Sequence, residues 1–172
     1  QVLHCPYTAD KARIVVQEMI DGISLELVEK RLVTDQLVLT VGYDIENLTR
    51  PEIRKVYKGP VTTDRYGRRV PKHAHGTWNL PRATSSSSEL LEAMAALYDK
   101  IVNPALLIRR MSLSACHVVN EKMAKEREQK ETFEQLDLFT DYAKKEAKEK
   151  EEQKKRERER RMQEALLTIK KK

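Results

Sequence analysis

Leu37-Val38-Leu39-Thr40-Val41-Gly42-Tyr43, with a large apolar side chain at every second position, constrains the fold more than any other stretch of the chain. In an extended strand Leu37, Leu39, Val41 and Tyr43 fall on one side, and Val38, Thr40 and Gly42 on the other. A strand with a single apolar side belongs to a sheet covered on one face, because a sheet buried on both faces reads as a continuous apolar run. The cover has to come from amphipathic helices elsewhere in the sequence.

Two such helices are predicted. Thr8 offers an N-cap with Asp10 in the first turn, and Ala12, Val15, Val16, Met19, Ile20, Ile23 and Leu27 then recur at helical spacing, so a helix runs from about Ala9 to Arg31. Ser86-Ser87-Ser88-Glu89 fits a capping box, and Leu90, Leu91, Met94, Leu97, Tyr98 and Ile101 supply the apolar stripe of a second helix. Three more strands are predicted: Val2–Cys5 ended by Pro6, Trp78–Leu80 ended by Pro81, and Leu106–Ala115 after the break at Asn103-Pro104. In the last of these Leu107, Met111, Leu113 and Ala115 share one side, and Ile108, Arg110, Ser112, Ser114 and Cys116 the other. The order β-α-β-β-α-β predicts an α+β domain over 1–120: a four-stranded sheet with two helices on one face and the other face open, small and polar with one Arg on the last strand, as a sheet against a nucleic-acid backbone or an ordinary solvent-facing side would be.

A long insertion, 45–71, separates the second and third strands. Between Arg50 and Lys72 stand eight basic residues against Glu52 and Asp64, a local excess equal to the +6 of the whole chain. That concentration is what a phosphate-binding surface needs, and equally what a solvated basic loop would show. Val61-Thr62-Thr63 and Arg69-Val70 flank Asp64-Arg65-Tyr66-Gly67-Arg68, predicting a small hairpin in which Gly67 takes a positive φ.

Residues 121–140 read as a polar linker and 141–172 as a charged helical tail. The tail contains Glu146/Lys150, Glu151/Lys155, Glu152/Arg156 and Glu157/Arg161 at i,i+4 spacing in the favourable order. Apolar spacing returns only at Met162, Leu166 and Ile169, too sparse for a coiled coil. Within the linker stands an apolar island, Gln135-Leu136-Asp137-Leu138-Phe139, whose two leucines and phenylalanine can fill a hydrophobic cleft while the Gln amide bonds at its rim.

Composition narrows the chemistry. A chain of 172 residues, 40% hydrophobic and 35% charged, supports one ordinary core and a solvated extension. Cys5 and Cys116 have no CxxC spacing and read as reduced thiols, and no apolar run approaches the roughly 20 residues of a membrane span. A cytoplasmic protein is expected. His73 and His75 lack a nearby Cys or acidic partner for a metal, and the serines at 85–88 have a local capping role rather than a nucleophilic one. Asp44 and Glu46 are a lone DxE, short of the clustered carboxylates that two-metal phosphoryl transfer needs. The chain opens at Gln1 and closes on Lys170-Lys171-Lys172 in a helical pattern, as a segment of a longer protein would.

The strand 37–43, the turn Leu80-Pro81-Arg82-Ala83-Thr84, the strand Ile108-Arg109-Arg110-Met111-Ser112-Leu113-Ser114 and the pentapeptide at Gln135 come in an order that resembles the C-terminal region of Y-family translesion DNA polymerases, especially UmuC/DinB-like proteins of Gram-positive bacteria. The resemblance covers about the first 140 residues. It implies that 1–120 is the little finger, or polymerase-associated, domain, whose sheet lies along primer-template duplex DNA, and that Gln135, Leu136, Asp137, Leu138 and Phe139 bind the bacterial sliding clamp. The long basic insertion departs from the compact family pattern. On this reading Lys72, Arg68, Arg69, Arg82 and Arg110 contact phosphates, while His75, Thr77, Asn79, Ser112 and Ser114 add sequence-neutral contacts. The segment itself is expected to be catalytically inert, without metal ligands or cofactor of its own. The parent polymerase would use Mg through carboxylates of a palm domain preceding Gln1. Two rivals stand beside this: a stand-alone nucleic-acid-binding module, in which only Tyr43 and Trp78 could stack on bases, and a protein-protein adaptor using the basic loop and the long helix.

Overall fold

A computed structural model describes residues 1–135 and 142–171. The chain is α+β, and its central sheet is antiparallel throughout. β1 (Val2–Tyr7) leads into α1 (Ala9–Lys30) and β2 (Leu32–Tyr43). The insertion follows, then β5 (Ala74–Thr84), α4 (Ser87–Ile101) and β6 (Ile108–Cys116). The strands lie in the order β1-β6-β2-β5, and the two-residue β7 (Val119–Asn120) pairs with the start of β2.

Register explains which residues face the helices. Leu37 stands between Trp78 and Ala115, Leu39 between Gly76 and Leu113, and Val41 between Ala74 and Met111. These rows meet Ala12, Val16, Ile20 and Leu27 of α1 and Leu90, Met94 and Leu97 of α4 in one core. Complete burial of a Leu such as Leu39 is worth about 1.5–3 kcal/mol. Gly76 is required by close approach: a Cβ there would lie 2.7 Å from Ile101 Cγ2 and 2.9 Å from Leu97 Cδ1 of α4. Tyr98 donates its hydroxyl to the Ala9 carbonyl at 2.7 Å, tying α4 to the start of α1, and burial raises its pKa. At α1, Thr8 occupies the N-cap position with extended backbone, but its side chain makes no capping bond.

The alternation predicted for the last strand is corrected at its first turn. Gly42 pairs with Arg110 and Tyr43 with Ile108, so Arg109 is an extra residue in β6. This bulge reverses the alternation, placing Ile108 in the core with Met111 and leaving Leu107 only half-buried. The prolines also act differently from expectation. Pro6 and Pro81 lie inside β1 and β5, where each falls in a stretch of shifted register. Both strands are outermost in the sheet, where a residue without an N–H does least damage to the ladder.

The insertion is more ordered than its sequence pattern implied. It forms α2 (Glu46–Thr49), α3 (Pro51–Val56) and a hairpin of β3 (Val61–Thr63) and β4 (Arg69–Pro71). Pro51 opens α3 at a position where its missing N–H costs nothing. Ile53 and Tyr57 pack against the core, and buried Asn47 fastens the insertion's start. Its Nδ2 donates to the carbonyls of Asp44 (2.9 Å) and Leu107 (2.8 Å), and its Oδ1 accepts from the Leu107 N–H at 2.7 Å.

The expected polar linker is helical over most of its length. α5 (Glu121–Gln135) has no Gly or Pro to break it, and α6 (Tyr142–Lys170) follows. Glu146–Lys150 and Glu152–Arg156 form as the i,i+4 spacing predicts. The second half of α6, however, is docked rather than free. Glu159 accepts from Ser86 Oγ (2.7 Å), the Ser88 N–H (2.7 Å) and Ser88 Oγ (3.0 Å) at the N-terminus of α4. Gln163, 4% exposed, donates to the Ser85 carbonyl and Ser87 Oγ, and Ser87 in turn bonds Ser24 of α1. Arg160 pairs with Glu121 of α5, and Lys171 with Glu29 of α1. The serine run is therefore a helix cap, as predicted, and also the socket for α6. Because this polar stripe takes the inner side, Met162, Leu166 and Ile169 point outward at 63%, 48% and 69% exposure. A cleft of about 1160 Å³ lies between α5, α6 and the end of β5.

Candidate nucleic-acid interface

The face of the sheet turned away from the helices is a set of short cross-strand rows. Asn79, Gln36 and Cys116 form one, Thr77, Val38 and Ser114 the next, then His75, Thr40 and Ser112, and finally Gly42 beside Arg110 and Val2. Two rows are locked by side chains: Gln36 Nε2 donates to Asn79 Oδ1 at 2.8 Å, and Thr40 Oγ1 bonds His75 Nδ1 at 2.8 Å. Gly42 forms the bed of Arg110, since a Cβ at residue 42 would stand 3.1 Å from Arg110 Cγ. No carboxylate occupies any position in these rows. The surface is shallow, hydroxyl- and amide-lined, and carries one guanidinium. It can donate to anionic oxygens without repelling them.

Of the residues singled out from sequence, His75, Thr77, Asn79, Arg110, Ser112 and Ser114 are brought together on this face. Lys72 stands just before it, between the hairpin and β5, with its N–H donating to the Pro60 carbonyl at 2.9 Å. Arg82 is placed elsewhere. It follows the inward alternation of Trp78 and Leu80, pairs with Glu89 of α4 and lies 3.9 Å from Glu152 of α6. Tyr43 is buried and Trp78 packs against the core, so neither presents a ring on the open face. Asp44 and Glu46 are both engaged locally: Asp44 Oδ1 accepts the Glu46 N–H at 2.8 Å, and Glu46 pairs with Arg50. No group of three or more His, Cys, Asp or Glu side chains among the described residues could hold a metal ion.

The insertion adds cations beside the sheet, and the structure sorts them. Arg50 is tied to Glu46 and Arg68 to Asp64. Arg54, Lys55, Lys58, Arg65, Arg69 and Lys72 have no carboxylate partner among the described residues. Asp64 is the organiser of the hairpin tip. Its Oδ1 accepts the N–H groups of Tyr66 and Arg68, both at 2.9 Å, and its Oδ2 accepts from Arg68 Nε at 2.9 Å. The hydrogen bond from the Arg68 N–H, with the Arg68 side chain and the Tyr66 N–H, holds its carboxyl below the usual range. Gly67, at φ 76°, makes the turn predicted for it.

Gln135 of the pentapeptide is the last residue of α5, whereas Leu136, Asp137, Leu138 and Phe139 lie outside the described residues. No described helix is long and apolar enough to cross a membrane. No protein-family model matches the chain, and no curated protein matches it.

Proposed function

We propose that this chain is the DNA-gripping and clamp-tethering region of an error-prone translesion DNA polymerase of the Y-family type, working in the cytoplasm on damaged template without itself catalysing a reaction. The observation that carries the reading is the open sheet face. Six side chains chosen from sequence for phosphate or sequence-neutral contact share cross-strand rows that hold no carboxylate, and in the insertion before β5 Arg54, Lys55, Lys58, Arg65 and Arg69 have no carboxylate partner among the described residues. Hydroxyl, amide and guanidinium donors that meet phosphates hold duplex without reading its sequence, which suits an enzyme that must stay on any damaged template. The βαβ-insertion-βαβ order with α1 and α4 on the covered face fits the little-finger architecture. Gln135-Leu136-Asp137-Leu138-Phe139 adds a second attachment: tethering to a sliding clamp raises the local concentration of the grip on DNA with no new contact at the primer end. Metal-dependent nucleotidyl transfer would belong to a palm domain elsewhere in the parent polymerase.

The test is fluorescence anisotropy of a labelled primer-template duplex at low salt. Binding that weakens several-fold in Arg110→Ala supports the grip, and undetectable binding of the unsubstituted chain removes it. One observation favours a second reading, a protein-protein adaptor: the outward stripe of Met162, Leu166 and Ile169 on α6. An adaptor would hold its partner equally well in the presence and absence of DNA and of the Arg110 side chain.

A further inference from the structure

The hairpin tip carries an arrangement that the sheet-face grip leaves unused. Tyr66 is 67% exposed, and two guanidiniums attend its ring: Arg65 at 4.9 Å and Arg68 at 5.2 Å from the centroid. Arg65 also donates to the Tyr66 hydroxyl at 2.9 Å. At this exposure the ring adds little to the fold. Yet the loop beneath it is built to hold it still, with the Asp64 carboxylate taking the Tyr66 and Arg68 N–H groups and Gly67 closing the turn. The one acid at the tip is consumed by those internal bonds, while Arg65 and Arg69 keep their charge without a carboxylate partner among the described residues.

A fixed, exposed aromatic ring among cations is the combination by which proteins hold unpaired nucleotides: the ring stacks on a base, which always offers a π-face, and the cations follow the phosphates. Reach favours the same occupant. Tyr66 is nine residues from His75, the first sheet-face residue of β5, so the two are at most about 30 Å apart along the chain, less than the roughly 34 Å of one duplex turn. A strand whose paired part lay on the sheet would carry its unpaired part within range of the hairpin.

We infer that Arg65-Tyr66-Arg68 is a binding site for single-stranded DNA, with the Tyr66 ring stacking on an unpaired base and Arg65 and Arg69 contacting the flanking phosphates. This rests on the DNA-grip reading, and its test separates the two. Anisotropy is measured for the full chain on a blunt duplex, on the same duplex with a single-stranded 5′ overhang, and on an acidic peptide of matched charge. The expected result is tighter binding of the overhang DNA than of the blunt duplex. Tyr66→Ala should weaken overhang binding about 10-fold and change blunt-duplex binding less than twofold, and Tyr66→Phe should retain the wild-type preference. Equal overhang affinity for Tyr66→Ala and wild type overturns the stacking site while leaving the sheet grip intact. So does an equal loss on blunt duplex, or a Tyr66-dependent affinity for the acidic peptide that matches that for the overhang. Absence of any DNA binding by the wild type overturns both readings. Because the tip is exposed and its loop is held by Asp64 and Gly67, the substitutions leave the fold in place.

Discussion

Replacing Arg69 and Lys72 together by Gln tests whether the insertion's cations act on phosphates, because the structure separates them from cations already neutralised. Neither has a carboxylate partner among the described residues, whereas Arg50 is held by two hydrogen bonds to Glu46 Oε2, at 2.9 and 2.6 Å. A cation that meets a phosphate releases a condensed counterion, and log K falls with log salt by about 0.9 per contact on duplex DNA. Losing two contacts should flatten the slope by about 1.8, so across a fourfold rise in salt the wild type would lose about 12-fold more affinity than the double variant. Arg50→Gln should leave the slope nearly unchanged, since its charge is satisfied within the protein. The assay is anisotropy of a primer-template duplex at four or five salt concentrations between 50 and 200 mM. An unchanged slope in the double variant, or an equal flattening by Arg50→Gln, would refute the argument that pairing decides which cations engage DNA.

Leu138→Ala with Phe139→Ala should weaken binding to the bacterial sliding clamp at least about 30-fold in surface plasmon resonance, because each anchor lost from a hydrophobic cleft costs about 1–2 kcal/mol. Asn47→Ala should cost about 1–3 kcal/mol in urea unfolding by leaving the Leu107 N–H without its partner, while the Asp44 and Leu107 carbonyls keep backbone N–H donors; a loss below about 0.5 kcal/mol would show that the insertion's start is not pinned there. Gly76→Val should destabilise by about 1–3 kcal/mol through overpacking against Ile101 and Leu97, read from the same unfolding curves. Docking of α6 should fail in acid. Burial pushes Glu121 up, but hydrogen bonds from Arg160 and Lys125 outweigh it and leave its pKa lowered, and the Lys171 hydrogen bond lowers that of Glu29. Groups with lowered folded pKa stabilise the docked state above their ordinary value of 4.5 and lose that contribution as pH falls through the lowered one. Energy transfer between dyes at Leu91 and Met162, in a chain with Cys5 and Cys116 replaced by Ser, should therefore be constant down to about pH 5 and drop below about pH 4; a constant signal to pH 3 would contradict it.

Much of the fold was legible because its signals are local. Alternation at 37–43, the Ser86 side-chain cap on the Glu89 N–H and the Gly67 turn each act within a few residues and could be read without knowing what lies opposite, although the Glu89 carboxylate pairs with Arg82 instead of closing the predicted capping box. The failures came where a distant partner decides. The Arg109 bulge exists only against β2, so sequence assigned Ile108 to the wrong side. Pro6 and Pro81 read as strand ends because a lone sequence does not tell an edge strand from a central one. The helices α2 and α3 carry too few apolar residues for a periodicity, though Pro51 at a helix start was a usable sign. At the candidate interface the polar side of β5 and β6 was readable from alternation, while the bedding of Arg110 on Gly42 required the register. Arg82 looked equally suitable by composition and turned out to follow the inward side of β5. Tyr66 was overlooked as a contact although the predicted turn already put it at the tip. The socket for α6 left one trace, four consecutive serines where a single cap suffices.

With Pro6 in β1 and Pro81 in β5, neither flank of the sheet offers a second molecule an unbroken row of backbone donors. An incoming strand seeking to extend β5 meets a missing N–H and a shifted register past Asn79, and at β1 the same interruption falls before Tyr7. The ladder that ribbon-like self-association of an antiparallel sheet would extend is thereby interrupted at each margin by a single residue without an N–H.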